Sequence, residues 1–208
     1  MKDIISQGKA LYWATSAWPS IRIMEAIHIC DKIGAPRPIA DQCKYNMLRR
    51  DEIEKEYRVL FDDYNYGSTT WSPLEYGILT GKYNNGIPEG SRFDKMSGFF
   101  KGTFESYFGE ANKEKTLKML NKLEEIAKRF DASMTQLALA WVLGSKDVST
   151  VIFGSSKLSQ LQENMKAVEL KTKITKETWD EIEEVLGNRP EPASNYREGY
   201  FGKLKLRR

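Results

Sequence analysis

The sequence has little of several features that mark specialised classes of protein. It contains two cysteines, Cys30 and Cys43, with no CxxC pair and no cluster of His and Cys. This pattern favours reduced thiols in a reducing compartment over a disulfide framework or a zinc site. No apolar run approaches the ~20 residues that a membrane span needs, and no N-terminal stretch resembles a signal peptide. We therefore expect a cytoplasmic protein that does not insert into membranes.

The charge balance excludes further classes of partner. The 208 residues include 32 basic and 29 acidic side chains, which gives a net charge of +3. So small an excess predicts neither a nucleic acid nor a membrane surface as the partner. Positive charge is concentrated only in residues 203–208, which we interpret as a solvated tail or as an anchor on an acidic partner.

Short β-rich runs alternate with helical patterns along the chain. Four segments have strand character: residues 10–16, 38–43, 67–71 and 149–154. Between them, apolar residues recur at helical spacing, as in Ile23, Ile27 and Cys30. A fourfold alternation of strand and helix predicts an α/β fold, with a parallel sheet and the helices outside it.

Two further patterns locate helices and a long irregular segment. Ser133 and Gln136 form a capping box that predicts a helix start, and another helix is expected to begin at Thr175. Residues 72–112 are rich in glycine and have little periodicity. An unpatterned segment of this length is usually functional or disordered.

The stretch TTWSPLEYGILTGKY, residues 69–83, ends the third predicted strand and carries a preformed turn. Pro73 fixes its own φ and restricts Ser72 to an extended conformation. Free backbone N–H groups beside Lys82 would suit an anion, most often a phosphate. Gly154 and Ser156 precede a helix N-terminus after the fourth strand, which suits phosphate binding or only a helix cap.

Five stretches, taken in order, resemble the second half of an aldo-keto reductase: YWATSAW, ADQCKYNML, TTWSPLEYGILTGKY, TQLALAWVL and VIFGSSKLSQLQEN. Within that family the similarity is closest to the β-subunits of voltage-gated potassium channels. It covers residues 1–188, which we assign to a partial oxidoreductase domain, followed by a basic tail at residues 189–208.

The resemblance implies an NADPH site. Trp71 would stack on the nicotinamide, while Ser16 and Gln42 would bind its carboxamide. The remaining residues implied by the family pattern hold the phosphates and the adenosine: Ser72, Pro73, Leu74, Lys82, Arg92, Gly154, Ser156, Gln160, Glu163 and Asn164. Three departures weaken this assignment. Ala17 replaces a polar residue, Ala14 replaces a glycine of the family's strand, and Glu75 places a negative charge near a phosphate.

The family fold is an eight-stranded (β/α) TIM barrel, of which this chain matches the fifth to eighth units. The Asp, Tyr, Lys and His that catalyse reduction belong to the first four strands in the family. His28, predicted to lie in the first helix at the surface, cannot replace that histidine. We therefore expect weakened NADPH binding and no catalysis by the isolated half-barrel.

Half of a closed barrel has two unpaired edges and should bind a protein that covers them, either a second copy or another subunit. Three hypotheses remain open. The chain is a non-catalytic interaction component of a large assembly such as a channel or a cytoskeletal complex, one chain of a two-chain reductase, or a regulatory channel β-subunit.

Overall fold

The computed structural model describes residues 1–95 and 99–191, with the backbone alone at Arg92, Lys95 and Phe99. Within these residues, four strands form one parallel sheet in the order β1-β2-β3-β4. The strands are β1 (Thr15–Ser16), β2 (Ala40–Lys44), β3 (Gly67–Trp71) and β4 (Thr150–Val151). The predicted α/β class with a parallel sheet is confirmed. The predicted basic tail lies outside the described residues from position 192 onward.

Helices connect the strands and cover one face of the sheet. They are α1 (Lys2–Ser6), α2 (Ser20–Ile33), a π-helical turn (Glu52–Glu56), α3 (Arg58–Tyr64), a 3₁₀ turn (Glu75–Thr80), α4 (Arg92–Lys95), α5 (Phe99–Phe108), α6 (Lys113–Lys128), α7 (Met134–Gly144), α8 (Leu158–Met165), α9 (Ala167–Lys173) and α10 (Lys176–Leu186). In the described part of the chain, none of them is both long and apolar enough to cross a membrane. Both cysteines are free and buried.

The predicted helix starts are confirmed by their hydrogen bonds. Ser133 Oγ accepts from the Gln136 backbone N–H at 3.3 Å, and the Ser133 N–H donates to Gln136 Oε1 at 3.0 Å. Thr175 precedes α10, and its hydroxyl accepts from the Thr178 N–H at 3.4 Å. Local side-chain chemistry therefore sets these two boundaries.

The outer strands are shorter than predicted. β1 keeps two of the seven residues expected, because only Thr15 and Ser16 pair with β2; it ends at the predicted residue, where the chain turns at Ala17 with a φ of +54°. The Ala17 and Trp18 N–H groups donate to the buried carboxylate of Asp41 at 3.0 and 3.3 Å. Tyr57 fixes the same turn by donating to the Trp18 carbonyl at 2.6 Å.

The interpretation of residues 72–112 as a long unpatterned segment is wrong in part. The segment contains α5, whose aromatic residues pack against Tyr83 and Phe93. The ring centroids of Phe93 and Phe104 are 5.3 Å apart, and those of Phe104 and Phe108 are 4.8 Å apart. Clustering of aromatic rings, rather than a regular apolar period, orders this part of the chain.

The two faces of the sheet have different environments. Asp41, Cys43, Ser68 and Thr70 are buried on the helix side. The opposite face carries one polar side chain from each strand in mutual register: Ser16, Gln42, Thr69 and Thr150. The central row of this inner face is therefore polar.

A buried arginine connects the C-terminal helix to the loop after β2. Arg50 is 4% exposed and donates to Glu54 at 2.8 Å and to Glu183 at 2.7 Å. A further bond from Arg50 reaches Asn188 Oδ1 at 3.1 Å, and its guanidinium lies 5.0 Å from the ring centroid of Trp141. Burial lowers the pKa of Arg50, but the two carboxylates outweigh that effect and raise it.

Removing Arg50 should destabilise the fold strongly. We expect Arg50→Met to lower the free energy of unfolding by about 2–4 kcal/mol, since two partly buried carboxylates lose their partner. The matched control is Arg22→Met, which breaks an exposed pair with Glu25 and should cost under about 1 kcal/mol. Urea titration measures both values, and equal losses would contradict the role given to Arg50.

Candidate functional site

A cleft of about 950 Å³ opens beyond the carboxyl ends of β3 and β4. In parallel α/β folds, ligands bind at this end of the strands. The cleft brings together most of the residues predicted for the cofactor: Trp71, Ser72, Pro73, Leu74, Lys82, Gly154, Ser156, Gln160, Glu163 and Asn164. Segments that are some 80 residues apart in sequence thus form opposite walls of one cleft.

Two predicted residues of the described part of the chain lie outside the lining of the cleft. Ser16 and Gln42 are exposed neighbours on the uncovered sheet face, where the Ser16 hydroxyl donates to the Gln42 carbonyl at 3.3 Å. Trp71 belongs to the same face, one side-chain repeat beyond Thr69, the register partner of Gln42. The Arg92 side chain is outside the described residues, although its backbone begins α4 directly after Ser91 of the cleft.

The turn after β3 has an unusual backbone. Ser72, Glu75, Tyr76 and Gly77 all have positive φ, at +53°, +42°, +56° and +99°, so the prediction that Ser72 is extended is wrong. Non-glycine residues in this region cost roughly 1–3 kcal/mol each, so the surroundings must hold them there. Within the turn, the Glu75 N–H donates to the Ser72 carbonyl at 3.0 Å, and the Gly77 N–H donates to the Leu74 carbonyl at 2.8 Å.

Glu75 supplies the external anchor for this turn. Its side chain is fully buried and accepts from Lys44 Nζ at 2.9 Å and from Asn46 Nδ2 at 2.8 Å. Asn46 Nδ2 also donates to the Ser72 carbonyl at 2.9 Å. The expectation that Glu75 places its charge near a phosphate is not supported, because the carboxylate faces β2 and is not part of the cleft lining.

Two more groups surround the Glu75 carboxylate. Arg49 Nε lies 3.7 Å from Oε1, and the Tyr107 hydroxyl of α5 donates to the same oxygen at 3.3 Å. Burial first, and the nearby Glu75 charge second, raise the pKa of Tyr107 above its ordinary value. Tyr107 therefore stays a neutral donor, and α5 is tied to the turn.

Gly77 makes room for the lysine of the cleft. A Cβ at this position would lie 2.6 Å from Lys82 Cε and 2.8 Å from Lys82 Nζ. The ammonium is 4.8 Å from the ring centroid of Tyr83, and no carboxylate of the described residues lies within ion-pairing distance of it. Lys82 therefore presents an unneutralised positive charge to the cleft.

The opposite wall is the loop before α8. The Ser156 N–H and hydroxyl both donate to Gln160 Oε1 at 3.1 Å, so these two predicted residues bind each other. Asn164 is buried and donates to Ser155 Oγ at 3.3 Å. Gln136 of α7 donates to the Glu163 carbonyl at 3.0 Å, which fixes the position of α8.

The cleft also contains residues that sequence reasoning missed: Tyr76, Gly77, Thr80, Gly90, Ser91, Thr135, Ile152, Phe153 and Ser155. Ser91 Oγ is buried without a hydrogen-bond partner among the described residues. Only a weak signal in the sequence pointed to Thr135: it lies two residues after Ser133, the predicted cap residue, in the first turn of α7.

These groups fit a dinucleotide phosphate. The cleft has the size of a site for a small organic ligand, and its described residues combine aromatic rings, hydroxyls and the ammonium of Lys82. The ammonium matches a phosphate, and the Trp71 ring can stack on a base. The Ser91 hydroxyl, which has no partner among the described residues, can bond an anion or a ribose. No group of the described His, Cys, Asp and Glu residues could hold a metal ion.

Comparison with known proteins places the chain among one set of relatives. The model of the Aldo/keto reductase family matches residues 1–187. A Schizosaccharomyces pombe protein named "Putative voltage-gated potassium channel subunit beta" is 44% identical over 188 residues, which cover 90% of this chain and 54% of that protein. Proteins of Oryza sativa and Arabidopsis thaliana named "Probable voltage-gated potassium channel subunit beta" are each 39% identical over 201 residues, or 95% of this chain and 58% of theirs. The chain thus spans just over half the length of these relatives.

Replacing Gly77 should disturb the turn and Lys82 together. We expect Gly77→Ala to lower the free energy of unfolding by about 2–4 kcal/mol. The strain of an alanine at positive φ adds to the cost of the clash between its Cβ and Lys82. Gly86→Ala is the matched control, because Gly86 also has positive φ but has no atom within 4 Å of an added Cβ. It should cost only about 1 kcal/mol. Equal losses in urea unfolding would show that the Lys82 contact is unimportant.

Proposed function

Since the chain belongs to the aldo/keto reductase family, we propose that its cleft binds NADPH and that the chain is the cofactor-binding half of a (β/α) barrel assembled with a second protein half. The observation that carries this proposal is the single cleft formed by the turn after β3 and the loop before α8, lined also by Lys82, which has no carboxylate partner among the described residues. A shared cleft made from such distant segments is expected when both bind the same ligand.

Different residues of the chain would bind different parts of the cofactor. The backbone at Ser72–Leu74 and the Lys82 ammonium would hold the pyrophosphate. The α8 wall would take the adenosine end, while Trp71, Gln42 and Ser16 would face the nicotinamide. When bound, NADPH supplies a hydride to an acceptor, and the described residues of this chain would position its ring.

The described residues favour binding over proton transfer. The sole histidine, His28, lies exposed on α2, where its Nε2 is 3.4 Å from the Tyr64 hydroxyl, and it is not part of the cleft lining. The reductase reaction of the family needs a positioned proton donor, which typically contributes 10²–10⁴-fold to the rate. We therefore propose a non-catalytic role for this half alone.

The uncovered sheet face supports a second half. Parallel sheets are usually covered on both faces, and here the row through Gln42 and Thr69 has no cover within the described residues. An exposed apolar stripe also lies on α2, which follows the edge strand β1, and another on α8–α9, which follow the edge strand β4. The stripes are Ile21, Ile29 and Ile33, and Leu158, Leu161, Met165 and Val168. A second copy of the chain or another subunit would bury them.

Two alternatives differ in what the partner contributes. In the first, the partner supplies the catalytic residues and the pair is an NADPH-dependent aldehyde or ketone reductase. In the second, which the names of the similar proteins favour, the assembly is a regulatory β-subunit of a potassium channel. Both retain the proposed cofactor cleft.

Cofactor binding can be tested directly with the full chain. We expect NADPH to bind and Lys82→Met to weaken its binding about tenfold, because one charge-assisted contact to phosphate is lost. Lys128→Met, at an exposed position on α6, should leave the affinity unchanged. NADPH fluorescence measures each affinity. Arg92→Ala should remove the preference of the chain for NADPH over NADH. Absence of NADPH binding by the wild-type chain would overturn the proposal.

Assembly is a separate prediction. We expect the purified chain to have a mass above that of the 23.9 kDa monomer, or to aggregate until its partner is added. Leu161→Glu should reduce self-association, whereas Lys171→Glu, at an exposed polar position on α9, should not. Size-exclusion chromatography with light scattering measures the mass. A monodisperse wild-type monomer with a cooperative melt would contradict the half-barrel proposal. If aldehyde is reduced only when a partner protein is present, that result would favour the two-chain reductase.

A further inference from the structure

We propose that the buried Lys44–Glu75 ion pair sets the preference of this site between the oxidised and the reduced cofactor. The inference rests on the proposed binding of NADPH. It concerns two residues to which the family resemblance assigns no cofactor contact. Neither of them is part of the cleft lining.

The sheet places Lys44 among the residues that would face the nicotinamide. Lys44 is the register partner of Trp71 and follows Gln42 by two residues, so the three side chains belong to one face of the sheet. A ring held by Trp71 and Gln42 would therefore lie beside Lys44. No rearrangement of the strands is needed for this proximity.

The Lys44 ammonium has a defined position on this face. Its Nζ lies 4.4 Å from the ring centroid of Tyr76 and 5.6 Å from that of Trp71. The Lys44 side chain is 17% exposed and that of Glu75 is fully buried, so water screens this pair only weakly. The cation therefore acts on groups near Trp71 more strongly than a surface lysine would.

The charge of the cofactor ring changes with its oxidation state. The nicotinamide ring of NADP⁺ carries a positive charge, and that of NADPH is neutral. A nearby ammonium repels only the oxidised form, and the Glu75 carboxylate offsets that repulsion. Arg49, 3.7 Å from Glu75 but 54% exposed, adds a screened positive charge, and Tyr107 donates to Glu75 as a neutral group. The balance of these charges would set the ratio of the two affinities.

A purely structural role for the pair predicts a different outcome. Asn46 connects Glu75 to the Ser72 carbonyl, so loss of Glu75 would also loosen the turn that is proposed to hold the pyrophosphate. Both oxidation states have the same pyrophosphate. Loosening the turn would weaken the binding of NADP⁺ and of NADPH equally, so the ratio of their dissociation constants would not change.

The experiment measures that ratio on the full chain, by NADPH fluorescence and by competition with NADP⁺. In Glu75→Gln we expect Kd(NADP⁺)/Kd(NADPH) to rise roughly three- to tenfold over wild type, since the ammonium loses its counter-charge. In Lys44→Met the ratio should fall by a similar factor. The double variant should return close to wild type. The matched control is the exposed pair Glu124–Lys128, whose variants Glu124→Gln and Lys128→Met should leave the ratio unchanged.

The outcomes separate the inference from the proposed function. If wild type binds neither form, the proposed function fails and the inference fails with it. If wild type binds both and the ratio is constant across the variants, the inference alone is overturned. Should the buried variants not fold, Arg49→Met changes a half-exposed charge of the same cluster, and we expect the ratio to fall about twofold. A ratio equal to that of wild type would then overturn the inference.

Discussion

The carboxylate of Glu75 lies where solvent does not reach it, and the turn after β3 depends on the groups that surround this charge. Burying an ion costs several kcal/mol unless partners replace its water. Lys44 and Asn46 from the end of β2 provide that replacement, and Tyr107 extends it to α5. The same bonds hold four residues at positive φ, which shapes one wall of the cleft. Folding of the β2 loop and formation of the site are therefore coupled.

A second constraint comes from the sheet. Helices bury the side chains of Cys43 and Thr70, while Gln42 and Thr69 on the opposite face remain uncovered by the described residues. A polar inner face tolerates water better than an apolar one, and the two-residue strands β1 and β4 limit the number of unpaired edge groups. The apolar stripes on α2 and on α8–α9 thus give a stronger reason for assembly than the sheet itself.

Much of this architecture could be predicted from the sequence because it depends on local signals. β3 has the predicted bounds, Ser133 and Thr175 cap helices, and the segments around Ser72 and Ser156 meet in one cleft. Contacts between distant residues could not be predicted in this way. The burial of Glu75 depends on partners up to 32 positions away, and the turn after β1 depends on Asp41, which lies 24 positions beyond Ala17. Aromatic packing in α5 has no periodic signal in the sequence.

The central claim is that one ligand joins the turn after β3 to the loop before α8. Hydrogen exchange of the full chain with and without NADPH tests it most directly. Amides of residues 72–77 and 154–160 should exchange more slowly with the cofactor, while amides of the remote helix α6 should be unaffected. Protection of only one of these segments, or of neither, would contradict the account.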